Sequence, residues 1–529
     1  MIRKRTIPAI LLICAFTGFA QTGDTQQPAS PAVPAASADS THEKLTALQG
    51  KIDGIEESYL ADKATVAKLS KVKISGYIQA EWRMALDTAG MIMDSTGKYL
   101  QKISDFAGGV FPDGQLNNFL IRRGRLKIGY ETELTKSYIQ FDASTGGFEI
   151  KDCYVSITEP WLKTIGLTAG IMNRPFGYEI EYSSSNRESP ERSRAEQVLF
   201  PKERDLGAML SVNPAENMGL LSCFNLKAGL YNGTQANVAE NDNHKDFIGR
   251  LGFSLPFTDL NLSIDGGVST YMGTVTCTDT TQGLRSSVTT TTYDSTKYNW
   301  VNKYDSTTST ATWVRDYAPG KTTTTKTTVT ARGMEYEMVN NVFKKSDTTV
   351  SQLNKQFDRK YYGFDLQLYY DIPVIGGVKI LTDYYQGTQP GTSSSAGYYN
   401  PGRNSGSAVY MRNFQGYYAM LVKNILAKNQ LVLKYDVWDP NTDVSGDAFT
   451  LNAAKTGFNG GFSVADLQYN TLGVGWIFHW DENLKFVLYL DHITNEKVPA
   501  ASVAATQALK LLADDYNDDV LTLRAQYKF

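Results

Sequence analysis

The chain ends in Val520-Leu-Thr-Leu-Arg-Ala-Gln-Tyr-Lys-Phe529, ten residues that alternate between apolar and polar side chains. On a strand, one face would carry Leu521, Leu523, Ala525, Tyr527 and Phe529, and the other would carry Thr522, Arg524, Gln526 and Lys528. A last strand with one apolar face, one polar face and an aromatic final residue is typical of the strand that closes a bacterial outer-membrane β-barrel. An edge strand of a soluble sheet is the alternative, because alternation in any single segment is a weak signal.

The same alternation recurs from about residue 71 to the end of the chain. The segment from Val72 to Met84 is one example, and the segment from Leu472 to Trp480 is another. The polar faces carry so many charged side chains that a water-filled interior explains them better than the dry core of a soluble sandwich. The sequence therefore predicts an all-β fold, a transmembrane antiparallel β-barrel of about 16 strands over residues 71–529.

The connections between these segments alternate between short and long. Long links are expected near 87–116, 175–204, 232–245, 273–357, 388–408, 440–465 and 495–515. Tight turns lie between them, and the Gly146-Gly147 connection is the short exception on the long side. Outer-membrane barrels have short periplasmic turns and long extracellular loops, so this pattern supports the barrel and predicts that both termini are periplasmic.

The amino-terminal residues 1–20 have the features of a secretory signal peptide. Arg3, Lys4 and Arg5 form the charged start, residues 10–16 form the apolar centre, and Gly18-Phe19-Ala20 is a cleavage site of the small-x-small type. The signal predicts export, cleavage and a location in the bacterial outer membrane. Residues 21–41 are rich in Pro, Ala and Ser and are predicted to be a flexible linker.

Residues 42–70 are predicted to form a helical segment in the periplasm. Heptad positions a and d are held by Leu45, Leu48, Ile52, Ile55, Tyr59, Val66 and Leu69, with a break at Asp62. Gly50 and Gly54 weaken this helix. Two interpretations stay open: a short coiled coil that clasps a homotrimer, or an amphipathic helix that lies against the base of the barrel.

Bulk charge indicates no polyanionic partner, and the lipid of the outer membrane is the expected partner of the barrel's outer face. The formal net charge is −3, and removing the three basic residues of the signal, which has no acidic residue, makes it −6. This balance gives no indication of nucleic-acid binding. Cys153, Cys223 and Cys277 remain after cleavage, and their odd number and wide spacing argue against a disulfide framework.

Motifs for catalysis or cofactor binding are not found in the sequence. None of the four His residues lies in a nucleophile or zinc-ligand motif. No phosphate-binding Gly-rich loop is present. A TonB-dependent transporter would need a plug domain before its barrel, and a first strand near residue 72 leaves no room for one. We therefore predict that the protein is not an enzyme and has no catalytic residue, metal or cofactor.

Several segments resemble the phosphate-selective porin O and P family, particularly its Bacteroidetes-type members. They are Asn118-Phe-Leu-Ile-Arg-Arg-Gly-Arg-Leu126, Asp152-Cys-Tyr-Val-Ser-Ile-Thr-Glu-Pro-Trp161, Thr168-Ala-Gly-Ile-Met-Asn-Arg-Pro-Phe-Gly177, Ser189-Pro-Glu-Arg-Ser-Arg194 and Glu203-Arg-Asp-Leu-Gly207. The resemblance is specific over 118–207 and looser beyond. It implies a sixteen-stranded barrel that assembles as a trimer, with a loop folded into each pore and arginines along the passage.

Basic side chains on the inward faces are the candidate anion-binding residues. Arg122 and Arg123 match the paired arginines of that family, and Arg122 would face outward unless Gly124 marks a bulge. The further inward candidates are Arg125, Lys127, Lys227, Arg250 and Lys434. A guanidinium group stays charged and offers a fork of donors to phosphate oxygens, and rings of such cations select anions. The alternative is that these cations pair with Glu131, Asp142, Asp265, Asp365 and Asp436 to hold the wall together.

The link near 175–204 is the predicted constriction of the pore. Its basic residues, with the strand end before it, are Arg174, Arg187, Arg192, Arg194, Lys202 and Arg204. Glu179, Glu181, Glu188, Glu191, Glu196 and Glu203 match them in number. An anion filter and a plug laced by its own ion pairs are both consistent with this balance.

The predicted function is passive diffusion of small hydrophilic solutes through a trimeric outer-membrane porin. Passage of inorganic anions such as phosphate is the favoured selectivity, and a general nutrient-diffusion porin is the alternative. A barrel-anchored adhesin is the rival from another class, and it would use the Thr-rich link at 273–357. That link is predicted to be a solvated loop, with a glycosylated segment or a lid over the pore as alternatives.

Overall fold

The structure is a computed structural model of the chain. It describes residues 37–86, 111, 115–240, 242–276, 282–283, 288–305, 310–325, 344–345, 350–351, 356–392, 395–397, 409–459, 462–515 and 518–529. The predicted signal peptide and most of the predicted linker lie outside these residues. The chain divides into two compact units, Met1–Leu69 and Ser70–Phe529.

One long helix, α1, spans Ser37–Leu69 in the first unit. It contains the predicted helical segment and begins earlier than expected, inside the predicted linker. An added Cβ at Gly50 or Gly54 would meet no atom within 4 Å, so both glycines lie on an open helix surface. The seven apolar heptad side chains are also exposed along α1. No helix in the described part of the chain is long and apolar enough to cross a membrane.

Sixteen strands of the second unit form one closed antiparallel barrel. Each strand pairs with its neighbours in chain order, and the last pairs with the first. The strands are β1 Val72–Ala85, β2 Asn117–Glu131, β3 Thr135–Ser144, β4 Gly147–Thr158, β5 Ile165–Asn173, β6 Arg204–Val212, β7 Phe224–Tyr231, β8 Asp246–Phe257, β9 Leu262–Thr276, β10 Gln356–Ile372, β11 Gly376–Gly391, β12 Tyr410–Ile425, β13 Asn429–Asp439, β14 Tyr469–His479, β15 Leu484–Asn495 and β16 Val520–Lys528. The predicted fold class and the predicted strand count are confirmed.

Alternation along the strands separates an apolar outer wall from a polar inner wall. On β15, Leu488 is 41% exposed, whereas its neighbour Tyr489 faces inward and is 1% exposed. On β10, Phe364 is exposed and Asp365 is fully buried. Successive side chains of a strand point to opposite faces, so one sequence pattern produces both the lipid-compatible exterior and the charged interior.

The closing contact is made by the residues with which the sequence ends. The backbone N–H and C=O of Phe529 each hydrogen-bond to Gly76 of β1 at 3.0 Å. A Cβ added to Gly76 would lie 2.6 Å from the Phe529 ring and 2.4 Å from the Arg125 carbonyl oxygen. Glycine at position 76 therefore lets the terminal ring pack flat on β1 while β1 stays paired with β2.

Short turns and long links fall at opposite ends of the barrel, as the alternation predicted. The short-turn end includes the connections 132–134, 373–375 and 426–428. The long-loop end carries the links 440–468 and 496–519, whose apolar side chains share one cluster around Phe449 and Leu467.

Part of the Thr-rich link between β9 and β10 is a three-stranded antiparallel sheet, in which the short strand Lys344–Lys345 flanks a ribbon of two long strands. The two long strands are Val288–Asp305 and Thr310–Thr325, with Val301 opposite Val314. These residues thus form regular strands within the link that is predicted to be a solvated loop. Alternating Thr, Tyr and Val side chains favour strands, and two such runs close in sequence pair with each other.

Candidate functional site

The link between β5 and β6, residues 174–203, lies inside the barrel and is called the inner loop below. Its backbone N–H groups donate to inward side chains of distant strands: Gly177 to Ser269 Oγ of β9 at 3.0 Å, and Arg194 to Asp436 Oδ2 of β13 at 2.7 Å. On another side of the wall, Gln526 of β16 donates to the Ser185 carbonyl at 2.7 Å. The inner loop thus contacts strands around the lumen.

Apolar anchors hold both ends of the inner loop against the wall. Phe176 and Phe200 pack with tilted rings whose centroids are 4.9 Å apart, and Phe200 meets the buried ring of Tyr361 edge-on. Between them a short helix, α2, Arg194–Leu199, begins at Ser193, whose hydroxyl accepts a hydrogen bond from the Glu196 N–H. These contacts give the inner loop a packed core of its own.

Arg122 and Arg123 both reach the inner loop. The pairing of β1 with β2 shifts register so that Gln79 faces Arg123 and Ala80 faces Ile121, which leaves Arg122 as the extra residue of a bulge. The bulge is at Arg122 itself and not at Gly124, and it turns two successive arginines inward. Both donate to the Glu191 carboxylate, with Arg122 Nε 2.5 Å from Oε1 and Arg123 Nη2 2.9 Å from Oε2.

Most of the other predicted anion-binding residues are neutralised by carboxylates. Arg125 lies 2.9 Å from Asp142. The further pairs are Arg192 with Glu203, Arg204 with both Asp152 and Glu203, Lys227 with Glu181, Arg250 with Asp365, and Lys434 with Glu179. Two of the five carboxylates predicted as wall partners, Asp142 and Asp365, make such pairs. The pairs of Arg125 and Arg250 agree with the alternative in which cations hold the wall together, whereas Arg192, Lys227 and Lys434 pair with glutamates of the inner loop.

Three predicted residues hold their charge over aromatic rings. Lys127 Nζ lies 4.0 Å from the centroid of Tyr138. The guanidinium of Arg194 lies 3.8 Å from the Tyr469 ring, and that of Arg174 lies 4.9 Å from the Phe200 ring. Cation–π contacts place a charge without neutralising it. Arg174 also donates to the carbonyl oxygens of Pro201 and Glu203, which ties it to the base of the inner loop.

Arg187 differs from the other predicted residues. It is 1% exposed, and none of its three guanidinium nitrogens has a hydrogen-bond partner among the residues that the structure describes. Burial lowers its pKa, while Glu191 and Glu179 act in the opposite direction. A guanidinium nevertheless keeps its proton in proteins, so Arg187 is a buried cation with unused donors.

Sequence reasoning did not select Arg83 and Arg524 as site residues. Both lie within 4.0 Å of Glu191, and both donate to Glu81, Arg83 from Nε at 2.8 Å. Their positions on the polar faces of β1 and β16 were visible in the alternation. Their contact with Glu191 was not visible, because Glu191 belongs to a loop about 100 residues from β1 and over 300 residues from β16 in the sequence.

Carboxylates gather on another side of the inner loop. Asp365 and Asp383 are opposite one another on β10 and β11, and Glu179 N–H donates to Asp383 Oδ2 at 3.1 Å. Glu196 is 1% exposed, and neither carboxylate oxygen has a hydrogen-bond partner in the described residues. Burial and the neighbouring Glu179 raise the pKa of Glu196 well above its ordinary value. This carboxyl group therefore keeps its proton to higher pH than an exposed one.

Within the described ranges, no group of three or more His, Cys, Asp or Glu residues is arranged to hold a metal ion.

Several solved structures of outer-membrane porins and channels are similar to the chain at low sequence identity. No protein-family model matches the chain, and no curated protein matches its sequence. Among solved structures, OprB of Pseudomonas putida is 9% identical, with a TM-score of 0.48 and coverage of 88% of this chain and 96% of that one. An anion-selective porin from Comamonas acidovorans is 9% identical, with a TM-score of 0.42 and coverage of 87% and 99%. The outer-membrane channel DcaP of Acinetobacter baumannii is also 9% identical, with a TM-score of 0.43 and coverage of 87% and 97%. Similarity at this level defines no function for the chain.

Proposed function

We propose that the protein is an outer-membrane porin, a water-filled channel for passive diffusion of small hydrophilic solutes that prefers inorganic anions such as phosphate. The closed barrel with an apolar outer wall and a charged inner wall supports the channel. In the proposed orientation, the short-turn end and both termini are periplasmic, after cleavage of residues 1–20.

Arg187 carries the proposed anion preference. Six of the other predicted cations pair with carboxylates, which offset their charge, whereas those that lie over aromatic rings keep theirs. Arg187 instead offers unused donors in the middle of the inner loop. Lys485 of β15 donates to the Arg187 carbonyl at 3.4 Å, which brings a second cation close to Arg187. An anion that sheds water needs such fixed positive charge and directed donors.

Replacing Arg187 by Gln is expected to lower the anion-to-cation permeability ratio several-fold, and Arg187→Glu is expected to favour cations. The reason is that the substitution removes or inverts a predicted site cation whose guanidinium has no hydrogen-bond partner among the described residues. Reversal potentials in planar bilayers under a chloride gradient measure the ratio.

The matched control is Lys163→Gln, which makes the same charge change at an exposed residue of a short turn. It should leave the ratio unchanged. A wild-type channel without ion preference would favour the general-diffusion alternative. A folded barrel that carries no current would favour an adhesin, for which the ribbon of Val288–Asp305 and Thr310–Thr325 is the candidate surface. An anion preference that survives in Arg187→Glu would remove Arg187 from the filter.

We further propose that the channel is a homotrimer and that α1 contributes to it. The exposed heptad stripe of α1, which includes Leu48 and Ile55, is an apolar surface that a parallel three-helix coiled coil would bury. Replacing Leu48 and Ile55 together by Asp is expected to reduce the trimer fraction of the full-length chain several-fold in dilute detergent. Cross-linking followed by electrophoresis measures that fraction. Ala47→Asp and Ala61→Asp, made together at exposed c positions of the same helix, should leave it unchanged, and an unaltered trimer in the Leu48/Ile55 variant would exclude α1 from assembly.

A further inference from the structure

Four arginines of the barrel wall converge on one carboxylate of the inner loop. Arg122 holds Glu191 in a fork, with Nε 2.5 Å from Oε1 and Nη2 2.9 Å from Oε2. Arg123 Nη2 is 2.9 Å from Oε2, Arg83 Nη2 is 3.6 Å from Oε1, and Arg524 Nη2 is 4.0 Å from Oε1. These residues come from the neighbouring strands β16, β1 and β2, and the four arginines are called the arginine cradle below.

The arginine cradle belongs to the wall and not to the loop that occupies it. The bulge at Arg122 is part of the pairing of β1 with β2, and Arg524 lies on the strand that closes the barrel. The wall therefore presents a preformed set of guanidinium groups. The fork from Arg122 and the additional donor from Arg123 match the way in which guanidinium groups hold the oxygens of a carboxylate or a phosphate.

Positive charge in the arginine cradle exceeds the charge that neutralises it. The four arginines meet two carboxylates, those of Glu191 and Glu81. Arg83 Nη1 has no hydrogen-bond partner in the described residues. Although burial opposes ionisation, the charges of Arg122 and Arg123 hold the pKa of Glu191 well below its ordinary value. A monovalent carboxylate thus leaves the cradle with surplus charge that a multivalent oxyanion would match better.

We propose that Glu191 is a tethered anion mimic, a loop carboxylate that occupies an oxyanion-binding site of the wall and competes there with small tetrahedral oxyanions such as inorganic phosphate. This inference rests on the proposed anion channel and adds the means by which the inner loop regulates it. When an oxyanion takes the cradle, the Glu191 carboxylate loses its arginine partners. The segment Ser189–Glu191 is also held by the hydrogen bond that Arg524 Nη2 donates to the Pro190 carbonyl at 2.8 Å.

Glu191→Gln is expected to bind phosphate at least about tenfold more tightly than the wild type, because the competing charge is removed from the cradle. In planar bilayers, the measured quantity is the phosphate concentration that halves the chloride current. The matched control is Glu188→Gln. Glu188 is a buried carboxylate of the same loop, and it pairs with Lys379 at 2.6 Å and not with the cradle. That control should show the wild-type phosphate block.

Stability provides a second measurement that does not depend on current. Without the Glu191 carboxylate the four arginines repel one another. Phosphate and sulfate are therefore expected to raise the thermal midpoint of Glu191→Gln more than that of the wild type, whereas chloride is expected to affect the two proteins equally. Should Glu191→Gln fail to fold in chloride, refolding in phosphate must recover the barrel, and a failure of that recovery would count against the inference.

The outcomes separate this inference from the function on which it rests. A wild-type channel without anion preference overturns the proposed anion preference. The tethered mimic alone is overturned if the wild type is anion-selective but Glu191→Gln and Glu188→Gln show the same phosphate block and the same rise of the thermal midpoint in phosphate. A stronger block in Glu191→Gln for phosphate and sulfate supports it, and a stronger effect of chloride alone would assign the cradle to halide ions and overturn the oxyanion assignment.

Discussion

Replacing Asp365 by Ala is expected to destabilise the barrel by about 3–5 kcal/mol, because it strands a buried cation. Arg250 of β8 reaches across β9 to Asp365 of β10 and donates to both carboxylate oxygens, at 3.0 and 2.6 Å. The side chain of Asp365 is fully buried, and that of Arg250 is 9% exposed. The free energy of unfolding in urea, measured on the barrel refolded in lipid vesicles, gives the effect.

The control for Asp365→Ala is a double variant that removes both charges, Arg250→Met with Asp365→Leu. It should recover most of the lost stability, because an apolar pair of similar volume leaves no unpaired charge. A loss in free energy of unfolding below about 1 kcal/mol in Asp365→Ala would mean that Asp365 does not stabilise the charge of Arg250 in the folded barrel. Arg250 would then again be a candidate anion-binding residue.

Glu196→Gln is expected to stabilise the protein increasingly as the pH rises above about 5. Burial raises the pKa of Glu196 well above its ordinary value of 4.5, so the folded protein holds this proton more tightly than the unfolded chain does. Stability therefore falls with pH between the ordinary and the raised pKa, by up to about 1.4 kcal/mol per pH unit. The Gln side chain carries no such proton and removes this dependence.

Thermal midpoints of the wild type and Glu196→Gln between pH 4 and 9 test this prediction. The two should coincide at the acid end and separate as the pH increases. Glu188→Gln is the contrasting variant, because Glu188 accepts a hydrogen bond from Lys379 and its loss should destabilise the protein at neutral pH. Parallel curves for the wild type and Glu196→Gln would show that Glu196 already ionises at its ordinary pKa in the folded protein.

The path of the inner loop was only partly predictable. The family resemblance implied a loop folded into the pore, and the charged residues of the link near 175–204 made it the candidate. The arrangement of the charges was not visible, since acidic and basic residues are interspersed in the sequence. In the structure, Glu191 faces the arginines of β1, β2 and β16, whereas Glu179 and Glu196 lie near Asp383 of β11.

The bulge at Arg122 shows that side-chain alternation with a period of two residues can assign a strand residue to the wrong face of the barrel. Alternation placed Arg122 on the outer face, where a charge meets lipid at a high cost. The register shift between β1 and β2 turns Arg122 inward, and the Glu191 carboxylate stabilises it there. A bulge has no distinct composition, so the local sequence offered Gly124 as the signal, two residues from the position that the structure reveals.

The barrel, its count of about sixteen strands, its short and long ends and the faces of the clearly alternating segments could be predicted from the sequence alone. These features depend on side-chain alternation and on turn composition, which act between near neighbours in the chain. Which inward cation is neutralised, which lies over a ring, and which, like Arg187, keeps unused donors became visible only in the folded barrel. The physical reason is that Coulomb interactions and hydrogen bonds in the lumen join strands and loop residues up to hundreds of positions apart, and such partners meet only after the barrel has closed around the inner loop.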